Sequence, residues 1–127
     1  MRERITRGEK WYDIVYGYGK IQRGRYVQSA FLPDAVKRKL VIDPKLSEKE
    51  AFDGVSLDAV LDYNLKTERE LLKVFLHAAS DWDKTTTSQE DYIDNEIPED
   101  VAKEIVLRAQ RILASSETSP DEKKTST

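Results

Sequence analysis

The chain has 127 residues, of which 35% are charged and 39% hydrophobic, with no cysteine and a formal net charge of −3. That composition excludes a disulfide framework, a thiolate nucleophile and a cysteine-held metal. The lack of any apolar run of about 18 residues excludes a membrane-spanning helix. The opening MRERITRGEK has no apolar signal-like core, so an intracellular (cytoplasmic) protein with no membrane partner is expected. The net charge conceals two halves of opposite sign. Met1–Leu46 holds 11 Lys+Arg against 5 Asp+Glu, or +6, and Ser47–Thr127 holds 10 against 19, or −9. Such a split suits a basic face with an acidic counterweight, or copies of the chain that associate through unlike halves.

In chain order, Lys10–Leu32 reads as a β-hairpin, because aromatic and β-branched residues alternate through it. Tyr12, Ile14, Tyr16 and Tyr18 fall on one face; Trp11, Val15, Gly17 and Gly19 fall on the other. Gln22-Arg23-Gly24 suits the turn, with glycine at a positive φ, and Arg25–Leu32 would return. Pro33-Asp34 breaks the pattern, and a third strand is expected around Lys39–Ile42.

The period then becomes helical. Ser47 and Glu50 form a capping box that opens a short helix ending near Gly54. Ser56 caps a helix with Leu57, Val60, Leu61 and Leu65 on one face. Thr67 and Glu70 form a second capping box, opening a helix that buries Leu71, Leu72, Phe75, Ala78, Ala79 and Trp82. A Thr/Ser-rich and acidic loop, residues 83–96, leads to a last helix with Pro98 in its first turn. That helix runs to about Ala114 and buries Val101, Ile105, Ala109 and Ile112, broadened by Val106 and Leu113. Residues 115–127, SSETSPDEKKTST, read as a solvated, disordered tail. Strands first and helices after predict one α+β domain over residues 1–114. Its expected form is a small antiparallel sheet, the N-terminal hairpin plus a third strand, packed on three or four C-terminal helices.

Catalytic motifs are weak. His77 is the only histidine, and no nucleophile elbow accompanies it. Asp81–Thr85 opens like a calcium loop, but Thr86 stands at the turn glycine and Tyr92 at the bidentate Glu. Pro33-Asp34 with Asp43-Pro44-Lys45 resembles the PD…D-x-K signature of a nuclease superfamily. There the carboxylates come from neighbouring strands, whereas Pro44 removes a ladder donor here. YGYGK lacks the strand–loop–helix setting of a phosphate loop. No enzyme, cofactor or metal is expected.

The remaining candidate is a basic aromatic surface made by Trp11, Tyr16, Tyr18, Lys20, Arg23, Arg25, Tyr26, Lys37, Arg38 and Lys39. Aromatic side chains stack unpaired bases while Lys and Arg track phosphates. The expected function is therefore binding of nucleic acid, single-stranded in preference to duplex. The alternative is an adaptor or inhibitor of the phage or accessory type. It would dock on another protein, such as an anionic surface, through the Tyr/Trp/Arg-rich segment or the acidic half.

Overall fold

In the computed structural model the described residues are 1–115, the last helix alone being traced further, to Ser126. The tail expected over 115–127 lies, past Ser115, outside the described residues. The chain is α+β: a three-stranded antiparallel sheet in the order β1-β2-β3, with helices against one of its faces.

The hairpin lies earlier than the sequence pattern places it. Strands β1 (Arg2–Arg7) and β2 (Lys10–Val15) pair from Arg2↔Val15 to Arg7↔Lys10. Their two-residue loop uses Gly8 at φ +63, the left-handed region that glycine enters without steric cost. β1 escapes recognition because RERITR carries one apolar residue, Ile5, and charged side chains line an edge strand. Alternation through β2 turns Tyr12 and Ile14 toward the core, and Tyr16 follows them there.

The expected return strand is instead helix α1 (Tyr18–Ala30). Gly24 explains why. A Cβ there would meet Phe75 at 3.0 Å and Leu113 at 3.1 Å, so glycine permits close helix packing and makes no turn. Ile21, Gly24, Val27 and Phe31 form the inward stripe of α1, and the missing side chain hides its period. The third strand expected at Lys39–Ile42 is also helical. It belongs to α2 (Asp34–Ile42), where Asp34 lies in the first turn, favourable to the helix dipole.

Helix α3 (Glu48–Ala51) has the expected capping box, with Glu50 N–H donating to Ser47 Oγ at 3.2 Å and Ser47 N–H to Glu50 Oε1 at 3.1 Å. Ser56 caps α4 (Leu57–Phe75), which runs through Thr67 without a second start. α4 ends where tertiary contacts replace propensity. Leu76–Ala79 forms β3 on the free edge of β2, not a further helical turn. The Gln89 side-chain amide donates to the Lys73 and Leu76 carbonyls at 2.9 and 3.0 Å, satisfying acceptors at the helix end. Gln89 opens a short helix, α5 (Gln89–Asn95), within the expected loop. α6 (Glu99–Ser126) begins just after Pro98.

Ile5, Tyr12, Ile14 and Tyr16 pack with Leu71, Phe75, Val101, Ile105, Ala109 and Leu113 in one core. Val36 and Ala51 are buried outside that cluster, between α2 and α3 and their surroundings. Among the described residues no helix is long and apolar enough to cross a membrane.

Candidate functional site

Ion pairing divides the cations into two groups. Three of the four hairpin cations meet acids: Arg4 pairs with Asp13 at 2.7 Å, Arg7 with Asp100 at 3.2 Å and Lys10 with Asp81 at 3.5 Å. Glu3 of β1 meets Arg108 of α6 at 2.9 Å. Residues 18–45 contain seven cations, Lys20, Arg23, Arg25, Lys37, Arg38, Lys39 and Lys45, and two acids, Asp34 and Asp43. None of these nine enters an ion pair among the described residues. Asp13 of the hairpin itself and Asp81 and Asp100 of the acidic half thus offset Arg4, Lys10 and Arg7, while α1 and α2 stay cationic. Uncompensated charge of one sign raises the local potential and attracts anions.

The ten residues singled out from the sequence separate on inspection. Tyr16 is corrected: it is 1% exposed, its ring centroid 5.3 Å from that of Phe75. Strand alternation carries it inward with Tyr12 and Ile14, so its ring is not available to a partner. Burial also pushes its hydroxyl pKa up to about 12. Trp11 is half-buried and already covered by the Arg4 guanidinium, 4.1 Å from the ring centroid. Tyr18 and Tyr26 are 81% and 71% exposed. They lie two turns apart on the outward side of α1, with Gln22 and exposed Arg23 between them. Arg25 is half-buried, and its Nε has no hydrogen-bond partner. Lys37 and Arg38 are exposed on α2, which packs on α3. Lys39 is engaged: its ammonium donates to the Asp53 carbonyl at 2.6 Å.

Lys20 joins a group that the hairpin reading did not assemble. Arg2, Arg4, Trp11, Asp13 and Val15 alternate with the core-facing residues, so they line the outer face of the sheet. His77 sits in β3 at an irregularity in the pairing, next to Asp13 and Ile14. Burial, then the charges of Lys84, Arg2 and Lys20, hold the His77 pKa below its usual value, against an opposite pull from Asp13. Asp13 itself is chelated by Arg4, Nε to Oδ1 at 2.7 Å and Nη2 to Oδ2 at 3.0 Å, which lowers its pKa. Lys84 and His77 come from segments that the sequence assigns to an acidic loop and to a helix. The β2–β3 pairing brings His77 beside Asp13, where the charges of both Lys84 and Lys20 act on it.

The weak catalytic motifs dissolve in the same geometry. Asp34 and Asp43 stand at opposite ends of α2, about 13 Å apart along the axis. Asp83 bonds within its own loop, Oδ1 accepting from Thr85 N–H at 2.9 Å and Thr85 Oγ1 at 2.6 Å. Compared with family models, curated protein sequences and solved structures, the chain matches none of them.

Proposed function

We propose that the protein is a non-enzymatic binding protein that presents the outward side of α1 to nucleic acid, single-stranded in preference to duplex. One observation carries this reading: the cations of α1 lack carboxylate partners while two exposed tyrosines stand beside them. Tyr18 and Tyr26, about 12 Å apart along the helix, supply two rings on which unpaired bases stack, each worth about 1–3 kcal/mol. Arg23 meets phosphates there, and Lys20, Arg2 and Lys84 extend the cationic surface toward His77. The reading is non-enzymatic because the cations around His77 neither orient it as a base nor supply a nucleophile.

The test is fluorescence anisotropy of labelled single-stranded and duplex oligonucleotides at about 50 and 200 mM salt. The single strand should bind more tightly, with log affinity falling against log salt at a slope of about −2 or steeper, as several phosphate contacts release counterions. Lys20→Glu with Arg23→Glu should abolish binding, and Tyr18→Ala with Tyr26→Ala should weaken it without changing the slope. Absence of binding at the lower salt overturns the reading and leaves an adaptor that docks on protein.

A further inference from the structure

Five of the nine large apolar side chains left exposed among the described residues lie between Asp34 and Lys66: Val41, Ile42, Leu57, Leu61 and Leu65. They form two separate features. On α4, Leu57, Leu61 and Leu65 follow one another at every fourth position, 71%, 50% and 69% exposed. Side chains at that spacing make a continuous ridge along a helix. The other side of this segment is the one that packs. The Tyr63 ring lies against Phe52, which caps the end of α3, and its hydroxyl donates to the Gln28 carbonyl at 3.2 Å. The leucine ridge therefore faces away from the domain. Its charged neighbours are acids, Asp58 and Asp62 along one flank and Glu68 at the end, all exposed. Lys66 is the nearby cation, held on Asp62 at 3.0 Å.

On α2, Val41 and Ile42 close the helix, 83% and 86% exposed. Lys37 and Arg38 lie one turn behind them and Lys45 just beyond, none of the three in an ion pair among the described residues. One surface is thus apolar with acidic borders and the other apolar with basic borders. Their exposure shows that they do not cover each other within one chain. We infer that α2 of one copy docks on the α4 ridge of a second copy of this chain. Val41 and Ile42 pack on Leu57, Leu61 and Leu65, while Lys37, Arg38 and Lys45 approach Asp58, Asp62 and Glu68. This joins two modes of recognition: an apolar helix end laid on a helix ridge, and charge complementarity that fixes which surfaces meet. The occupant is a second copy because the matching partner, in both apolar shape and sign of charge, is present on the chain itself.

The experiment measures mass by size exclusion with light scattering on the whole chain at roughly 100 µM and below. The wild type should exceed monomer mass in a concentration-dependent way. Leu61→Glu and Ile42→Glu, both at exposed positions and checked for wild-type circular dichroism, should each be monomeric alone. Mixed in equal amounts they should form a species of twice the monomer mass. The Ile42→Glu chain still offers its α4 ridge to the intact α2 of the Leu61→Glu chain. Three outcomes overturn the inference: a monomeric wild type throughout, an Ile42→Glu chain that still associates, or a mixture that stays monomeric. Oligonucleotide affinity of the Leu61→Glu chain reads the α1 surface separately, so failure of one proposal does not mask the other.

Discussion

The sheet-centred core and the lobe formed by residues 33–66 are stabilised differently. In the core, apolar side chains from all three strands and from α1, α4, α5 and α6 bury one another, and ion pairs such as Arg7–Asp100 and Lys10–Asp81 join distant segments. In the lobe only Val36 and Ala51 are fully buried, and Lys66–Asp62 is the one ion pair among the described residues. Its helices are defined by local devices: the Ser47/Glu50 capping box, the Ser56 cap and the Lys39 ammonium on the Asp53 carbonyl. Local bonds of this kind contribute about 1 kcal/mol each. The lobe is shaped by its own sequence but weakly anchored, which suits a segment whose apolar residues face outward.

The largest test of that contrast is truncation on either side of it. Phe75 is fully buried between Tyr16 and Gly24. Phe75→Ala should cost about 3–5 kcal/mol and lower Tm by more than about 10 °C. Val36→Ala, also at a fully buried position, removes two methyl groups and should cost less than half as much. Native-state hydrogen exchange should find α2 and α3 opening well below the global free energy. Equal losses for the two variants, or equal protection in lobe and core, would show one cooperative unit and erase the distinction.

A smaller effect is expected on the outer face of the sheet, where Asp13 is nearly buried and held by both nitrogens of Arg4. Arg4→Ala leaves that carboxylate without its partner and should lower stability near neutral pH by less than Val36→Ala does. The Arg4 hydrogen bonds lower the Asp13 pKa in the folded state. Its contribution is therefore present above the unfolded carboxylate value and lost as pH falls through the folded one. The gap between wild type and Arg4→Ala should close as the medium is acidified, and Asp13→Asn in the Arg4→Ala background should recover part of the loss. A gap that is independent of pH would mean that Arg4 acts through its packing on Trp11 alone.

The same contrast explains what the sequence could convey. The Ser47/Glu50 box and the Ser56 cap are local signals, and both helices start where the sequence places them, although the second runs on through Thr67 to Phe75. Glu99–Asp100 and the Val101/Ile105/Ala109 stripe likewise announce α6. α1 and β3 depend on the core. Gly24 looks like a turn residue until Phe75 and Leu113 are seen against it, and Leu76–Ala79 continues a helical stripe until the edge of β2 accepts it. The candidate surface follows the same division. Tyr18, Lys20, Arg23 and Tyr26 are legible as a basic aromatic run. Tyr16 leaves the set and Lys84 joins it because of pairings between residues far apart in sequence.

The smallest expected effect probes whether the unpaired cations near His77 accept an anion, as the already paired Arg4, Arg7 and Lys10 would not. Partial burial first, and then the charges of Lys84, Arg2 and Lys20, depress the His77 pKa, with Asp13 the opposing charge. For a histidine the sign is then fixed. Above about pH 6.5 it is neutral in both states and contributes nothing. As pH falls, the unfolded chain takes up the proton first, so the folded state loses stability. As the only histidine, it gives a single imidazole signal by NMR, which should titrate below 6.5. Lys20→Gln and Lys84→Gln should each move it upward. Phosphates bound beside these cations cancel part of their field, so a single-stranded oligonucleotide should raise the His77 pKa. A rise of about half a unit corresponds to about threefold tighter binding once the pH lies below both values. An oligonucleotide that binds without moving this signal places the nucleic acid away from Lys20, on the Tyr26 end of α1 or on α2. A His77 that titrates above 6.5 removes the cationic convergence itself.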